Sequence, residues 1–591
     1  KEWYPVKVNF DIEEFEPSDG VTMVFAKQEH AMRLDLGIAH MDGLAWGRFD
    51  EHIEESGWSE LYVETGAAEG APNDAKMYAA GFLEGLLTCV RLSEFYANSY
   101  QLLLKKASST KAVKAIKKYF KKSLDHMQTK TNLRSHTLAE QPDSAYWKQV
   151  RYVLIQMWGV CDGYNFAARH FGVHTLGLED MLFLNSGGEL PQVMEALVNT
   201  TVVPQTFLQL RGASVGNARM QTWTPAAATG DVLDDAHWER RLAASGHCTG
   251  FVRVSGGNED LFVGHTTWDD YSRMTRIFKY YKFALAGADT MASHIGFSSY
   301  PGAVSSTDSF YVMDSGLAVA ETSLMVLDTE SFRRLASLSS NPRLPAFVHV
   351  MAVNRLAKDS RHWSELYEAE AAPSTPAYAA QWLVVDYNRF EKSAQVQDGT
   401  LWVVESFAAT CHAEDLSEVL QSKGYFPSFN RPYFDQIRQA SGHASAERSH
   451  GTLYSWASNP RAEIFSHVGS GTNTLSDMRN LMSRNQYPAA GVVNSGPGHE
   501  ISARMDLSTD APLPNGGIDA KVTGRCLMAR LQVQALSSPS HQRQQIFSWV
   551  DDNGTDVWPE WPRVGLPDKW GFGFVQMTPG GVVNVTDDDD C

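Results

Sequence analysis

The pattern of apolar and polar positions changes period several times along this 591-residue chain. Residues 1–70 are β-rich, with strand character in Val21–Ala26 and Met32–Ala39. Residues 76–106 switch to helical spacing and read as one or two long helices, interrupted near Gly81 and Gly85. Residues 145–180 are helical again, while 185–247 are loop-rich, with Thr222–Gly230 the most linker-like part. A β-hairpin is predicted over 248–268. Tyr271–Ala286 then reads as an amphipathic helix with Met274, Ile277, Phe278 and Tyr281 on one face. Strand signals recur at 310–313, 323–327, 346–353, 382–387 and 401–405. Between them, Arg361–Tyr378 is polar and proline-bearing and reads as a surface excursion.

The hairpin carries the candidate chemistry. Thr249–Val254 is rich in β-branched and aromatic residues, Ser255–Asp260 are turn formers, and Leu261–Thr267 repeats the strand signal. A turn centred on Gly256–Asn258 sets Cys248 opposite residues 265–268. A thiol, the His265 imidazole and the Trp268 indole then meet at one end of the hairpin. Gly246-His247-Cys248-Thr249-Gly250 matches a nucleophile elbow with Cys in place of Ser, but an elbow needs a strand before the nucleophile and a helix after it. Here the order is reversed. The remaining functional reading is an N-terminal nucleophile hydrolase, cut between His247 and Cys248, whose new α-amine serves as base for its own thiol. The competing reading of Cys248 is a small, inert, buried hydrophobe.

Composition narrows the partners. A net charge of −18 argues against nucleic acid as the main partner and suits an acidic compartment. No apolar run reaches 18 residues, so no membrane span is expected. The chain opens Lys1-Glu2-Trp3-Tyr4-Pro5 with no visible signal peptide, which fits either a chain that never carried one or a mature form. The cysteines at 89, 161, 248, 411, 526 and 591 form no Cys-x-x-Cys pair, and neither a metal nor a cofactor is called for. With Cys248 catalytic, the rest allow up to two disulfides. The acidic stretch Asp587–Asp590 reads as a solvated tail. One charge run stands apart. Lys111, Lys114, Lys117, Lys118, Lys121 and Lys122 alternate with Ala112, Val113, Ile116, Tyr119 and Phe120 in helical register. That face suits anionic lipid headgroups, although a solvated helix face is the plainer reading.

Several short pieces stand in order along the chain: Gly81-Phe82-Leu83-Glu84-Gly85, the Cys248–Trp268 hairpin, Ser299-Tyr300-Pro301-Gly302, Asp308-Ser309-Phe310-Tyr311 and Glu321-Thr322. Asn354-Arg355-Leu356-Ala357, Gln381-Trp382-Leu383-Val384-Val385-Asp386-Tyr387, Pro460-Arg461-Ala462 and Gly516–Thr523 follow. By these pieces the chain resembles the phospholipase B-like (laminin-ancestor-like) family from about residue 80 onward. The resemblance implies an α+β, four-layer αββα N-terminal nucleophile fold with extra helices and loops. Residues 1–247 and 248–591 would both belong to one core and stay together after cutting.

With Cys248 as nucleophile, the hairpin itself supplies two further candidates: from the opposing strand His265 is expected to tune the thiol or the α-amine, and Trp268 to donate its indole N–H or wall the pocket. The resemblance implies the rest of the site. Thr322 matches a pocket position, Asn430 an oxyanion donor, and Arg461 a fork for a substrate carboxylate or phosphate. The implied activity is cleavage of an ester or amide bond in a lipid-like or N-acylated molecule. The alternative is a self-cleaved glycoprotein that binds lipid or glycan without turnover. Read with the resemblance, the sequons at Asn199, Asn553 and Asn584 point to a secreted or lysosomal glycoprotein. Two departures stand out. Ala379-Ala380 replaces an expected Asn-Asn before Gln381-Trp382, and Ser-Gly-Pro-Gly-His-Glu over 495–500 replaces an expected cysteine-bearing loop.

Overall fold

The computed structural model describes residues 8–9, 21–26, 31–37, 43–106 except 67 and 69, 110–133, 142–198, 248–325 except 288, residue 327, 344–374, 378–407, 410–488, 496–509 and 512–585. Two sheets face one another in an α+β architecture. The larger has twelve strands in the order Val8–Asn9, Ala31–Leu36, Val21–Ala26, Gly43–His52, Trp58–Thr65, Arg276–Lys282, His294–Ser299, Phe310–Met313, Leu317–Ser323, Ala380–Asp386, Leu401–Phe407 and Thr410–Asp415. The smaller runs Tyr425–Ser428, Cys248–Val254, Leu261–Asp270, Ala520–Thr523, Val533–Leu536, Val575–Thr578 and Gly581–Asn584, with Asn515–Gly517 beside Leu261–Asp270. Residues on both sides of position 248 share the larger sheet, because Trp58–Thr65 pairs in parallel with Arg276–Lys282.

Helices cover both outer faces. On the larger sheet, Asn73–Leu87 lies against Gly43–His52 and Trp58–Thr65, and Ala145–Phe171 lies against Asn73–Leu87. On the smaller sheet, Pro460–Val468 and Leu475–Met482 close a second apolar core built on Phe251, Phe465, Met478 and Met482. The resulting order is helix, sheet, sheet, helix.

Several expectations need correction. Gly81 and Gly85 do not interrupt their helix, which runs unbroken from Asn73 to Leu87. They let two helices touch: a Cβ on Gly81 would sit 1.9 Å from the Gln156 carbonyl oxygen, and one on Gly163 would sit 1.9 Å from that of Phe82. Tyr271–Ala286 is not an amphipathic helix. Arg276–Lys282 is an inner strand, and Ile277, Phe278 and Tyr281 are all buried because both its faces are covered. Conversely 346–353 is helix, Ala346–Leu356, since a short apolar run cannot separate a buried strand from a buried helix. Of the strand expected at 323–327, Ser323 ends the strand Leu317–Ser323, and Leu324 and Met325 follow it outside the sheet. Residues 361–374 are no excursion either. They form the helix Ser360–Ser374, anchored by Trp363 and Tyr367 in the core.

Candidate active site

The hairpin forms as its pattern predicts. Cys248 pairs with Thr267, Gly250 with His265 and Val254 with Leu261. Its turn bends where Gly257 and Asn258 take left-handed backbone, φ 73° and 56°. Cys248 is the first residue of a strand flanked on both sides, by Leu261–Asp270 and by Tyr425–Ser428. Alternation along this strand sends Cys248 and Gly250 to one face and Thr249 to the other. The Cys248 face looks into the gap between the sheets. A Cβ on Gly250 would meet Leu383 at 3.2 Å and Thr322 at 3.6 Å, both on the larger sheet.

The sulfur itself is covered, with Cys248 9% exposed, and it is a free thiol. Burial pushes its pKa well above the ordinary range and the nearby Glu321 adds to this. The Trp268 backbone N–H and the Lys521 ammonium pull the other way. In this state the thiol is neutral.

Arg461, Asn430 and Thr322 converge beside it. Arg461 enters at the start of the helix Pro460–Val468, which Asn459 caps by accepting from the N–H groups of Arg461 and Ala462. One guanidinium nitrogen donates to the Cys248 carbonyl oxygen and to Thr249 Oγ1, both at 3.0 Å. The other donates to the Phe429 carbonyl at 2.8 Å and to Asn430 Oδ1 at 2.7 Å. The fork expected to hold a substrate carboxylate or phosphate is therefore already engaged by the protein. Asn430 sits in left-handed backbone, φ 67°, and donates Nδ2 to the Ser323 carbonyl at 2.7 Å. One amide hydrogen is spent there, leaving the other. Thr322 Oγ1 and Ser428 Oγ lie 2.7 Å apart, a hydroxyl bridge between the two sheets.

His265 and Trp268 take different places from each other. His265 is on the Cys248 face, one pair along, and its Nε2 lies 2.8 Å from the Glu321 carbonyl. A carbonyl only accepts, so Nε2 carries the proton. Nδ1 is then a bare acceptor, buried and without a partner. Burial, with Lys521 adding, lowers this imidazole's pKa to about 3 and keeps it neutral. Trp268 points to the helix side, where its indole N–H donates to the Ile501 carbonyl at 3.0 Å and its ring lies 4.6 Å under the Arg461 guanidinium. It walls Arg461.

Sequence reading missed the floor of the site. Thr267, directly across from Cys248, donates to Asp308 at 3.2 Å and accepts from Lys521 Nζ at 2.7 Å. Lys521 also donates to both oxygens of Asp519, at 2.7 and 2.8 Å, and Arg276 bridges Asp519 at 2.6 Å to Asp308. All four charged side chains are buried. Burial pushes the Asp308 carboxyl up, but Arg276, Lys521 and Ser298 outweigh it and hold it below the usual carboxylate range. The signal was present as charges inside apolar strand runs, in Asp519-Ala520-Lys521-Val522 and in Asp308 before Phe310.

A second group lies at the ends of Leu317–Ser323 and Ala380–Asp386. Burial lifts Glu321 to about 8, against the Tyr378 hydroxyl, which donates to it at 2.8 Å, and Ser309. Tyr378 also lines a pocket with Glu189, Ser306, Ser309, Phe347 and Trp382. Where an Asn-Asn pair was expected, Ala379 and Ala380 are fully buried and Gln192 supplies the polar contact. It accepts from the Ala379 N–H at 2.7 Å and donates to the Leu324 and Ala379 carbonyls at 3.3 Å.

His247 and Asn199 lie outside the described residues. Asn553 and Asn584 are exposed. Cys89, Cys161 and Cys411 are free thiols, so of the two disulfides allowed by counting at most one can form, and Cys526 is disulfide-bonded. No described helix is long and apolar enough to cross a membrane.

Comparison with known proteins places the whole arrangement. The family described as phospholipase B matches residues 45–577. A phospholipase B of Crotalus adamanteus is 27% identical over 544 residues, 92% of this chain and 90% of that protein. Phospholipase B-like protein C of Dictyostelium discoideum is 28% identical across 90% of this chain and 87% of its own length. Phospholipase B-like 1 of Homo sapiens is 26% identical across 92% and 88%. With the matched region taking in most strands of both sheets and every described residue of the site, this chain belongs to the phospholipase B family.

Proposed function

We propose that the protein is a self-processing cysteine hydrolase that cleaves an ester or amide bond in a lipid-like substrate. The observation that carries this reading is the placement of Cys248 as the first residue of an inner strand, with its own carbonyl oxygen gripped by Arg461. A grip on that carbonyl fixes residue 248 from its C-terminal side.

In the first reaction the Cys248 sulfur attacks the His247 carbonyl carbon. The C–N bond to Cys248 breaks, the thiol proton ends on the new α-amine, and a thioester remains. Water cleaves the thioester, leaving a carboxylate at His247 and a free thiol at Cys248. The bare Nδ1 of His265, on the same face, is a neutral hydrogen-bond acceptor suited to orient the thiol proton; with its pKa lowered to about 3 it does not hold that proton. The uncommitted amide hydrogen of Asn430 suits the developing oxyanion, a contact often worth about 3 kcal/mol of barrier. Arg461 and Trp268 act as positioning residues, Thr322 with Ser428 walls the gap, and Thr267 with Lys521 supports the thiol from below.

Cutting creates the base for the thiol, the α-amine, with an ordinary pKa of about 8. In the second reaction the same thiol attacks a substrate carbonyl, and the acyl thioester is released by water. The substrate class follows from the relatives named phospholipase B. The two fragments stay joined through the pairing of Trp58–Thr65 with Arg276–Lys282. A secreted or lysosomal setting fits those relatives and the exposed sequons at Asn553 and Asn584.

Fatty-acid release from a phosphatidylcholine of defined chains, followed by mass spectrometry, tests the activity. Release by the cut protein that is lost in Cys248→Ala supports it. Equal release by both contradicts Cys248 as the nucleophile, and release by neither leaves a binding glycoprotein.

A further inference from the structure

The lysine run singled out in the sequence forms the helix Thr110–Lys130. Its apolar side is fully used. Val113, Ile116, Tyr119, Phe120, Leu124 and Met127 are buried, against the helices Leu178–Asn185 and Leu190–Val198. Its other side exposes Lys114, Lys117, Lys118, Lys121 and Lys122 in one row.

A helix face that merely meets solvent ordinarily mixes signs, because Lys–Glu pairs three and four apart stabilise it and like pairs destabilise it. Here Lys114, Lys117, Lys118 and Lys121 repel one another at those spacings, and Asp125 is the helix's single acid. Among the described residues, Lys114, Lys118 and Lys121 have no carboxylate within ion-pair distance, and Lys117 meets only the Tyr100 ring, at 5.6 Å. The run sits in a chain whose net charge is −18, so it is a local reversal of sign. Packing does not need these lysines, since the opposite face holds the helix in place.

We propose that this lysine face docks the protein on an anionic lipid bilayer. A surface of like-charged headgroups neutralises the whole row at once, which no single bound anion can do. Each lysine near such a surface adds to the attraction, and the attraction decays within about 10 Å at 0.1 M salt. The proposal extends the lipid-substrate reading by naming where the protein meets its substrate's phase. It does not need Cys248, so Cys248→Ala should bind as the parent does.

Flotation with vesicles of phosphatidylcholine, with or without about a third phosphatidylserine, tests it at about 0.05 and 0.3 M salt. The full chain is expected to float with the anionic vesicles at low salt and to be released at high salt. Lys114→Gln, Lys118→Gln and Lys121→Gln together should weaken that binding roughly tenfold or more. Lys358→Gln, Lys423→Gln and Lys569→Gln, which remove the same charge from other exposed sites, should not. Equal binding to neutral vesicles, equal loss in both triple variants, or retention of immobilised heparin without vesicle binding would each overturn it. Loss of turnover in Cys248→Ala with unchanged flotation keeps the two readings separable.

Discussion

Arg461 donates to the carbonyl oxygen of Cys248 at 3.0 Å, joining the first residue of an inner strand to the first turn of an outer helix. The same guanidinium reaches Thr249, Phe429 and Asn430, so one side chain holds two neighbouring strands and the left-handed corner at 430. No carboxylate is among these partners. Burial, with the Arg431 charge adding, pushes this guanidinium well below its ordinary range, and its contacts are carbonyls, a hydroxyl, an amide and the Trp268 and Phe429 rings.

Replacing Arg461 with Met should leave four buried acceptors without their donor. The expected cost is about 3 kcal/mol, read from the urea midpoint. Self-cleavage should slow as well, because the strand end is released. Arg461→Lys should recover only part of either, since one ammonium cannot span both pairs.

Lys521→Met should be more costly. It leaves Asp308 and Asp519 facing Arg276 alone in a buried setting, where breaking one partner of an ion pair costs roughly 3–5 kcal/mol. Adding Asp519→Asn should return part of that loss. A thermodynamic cycle over the two single variants and the double measures the coupling, and strict additivity would contradict the network.

Stability should fall as pH rises from about 6.5 to 8. Burial lifts the carboxyls of Glu60 and Glu321 to about 8, and those of Glu189 and Glu405 to about 7. Between roughly pH 4.5 and 8 the native state keeps protons that the unfolded chain releases, so their contribution is lost with rising pH. His265, lowered to about 3, and His349, lowered to about 4, work in reverse: they stay neutral when folded and penalise the native state below about pH 6.5. The two sets oppose each other below pH 6.5, and the carboxyls act alone above it. Thermal midpoints across this range check the sign. Glu189→Gln should flatten the upper limb.

Gly163→Ala should destabilise by about 2–3 kcal/mol, because the added methyl meets the Phe82 backbone and two helices must part. Gly471→Ala, where no atom lies within 4 Å, should be near neutral. Denaturant midpoints of the two variants compare them directly.

The hairpin was legible because its turn residues and β-branched flanks agree on one register, and that register alone set Cys248 against residues 265–268. The inner strand Arg276–Lys282 and the helix Ala346–Leu356 were misassigned for one shared reason. When every face of an element is buried, periodicity disappears, and aromatic spacing in the first case imitated a helix. Gly81 and Gly85 read as breaks because sequence cannot show what presses against a missing side chain. Thr322, Asn430 and Arg461 came only with the family resemblance: they join Cys248 from strands and a helix far apart in the chain. The floor of Thr267, Asp308, Asp519 and Lys521 went unassigned, since a buried charge announces itself only once its partner is in view.

The most direct measurement is N-terminal sequencing, with intact masses, of the purified protein before and after incubation at low pH. The account expects two fragments, one beginning at Cys248, that separate only on denaturation, and a single uncut chain for Cys248→Ala. A new N-terminus at any other residue, or equal cutting of the Cys248→Ala chain, would contradict it.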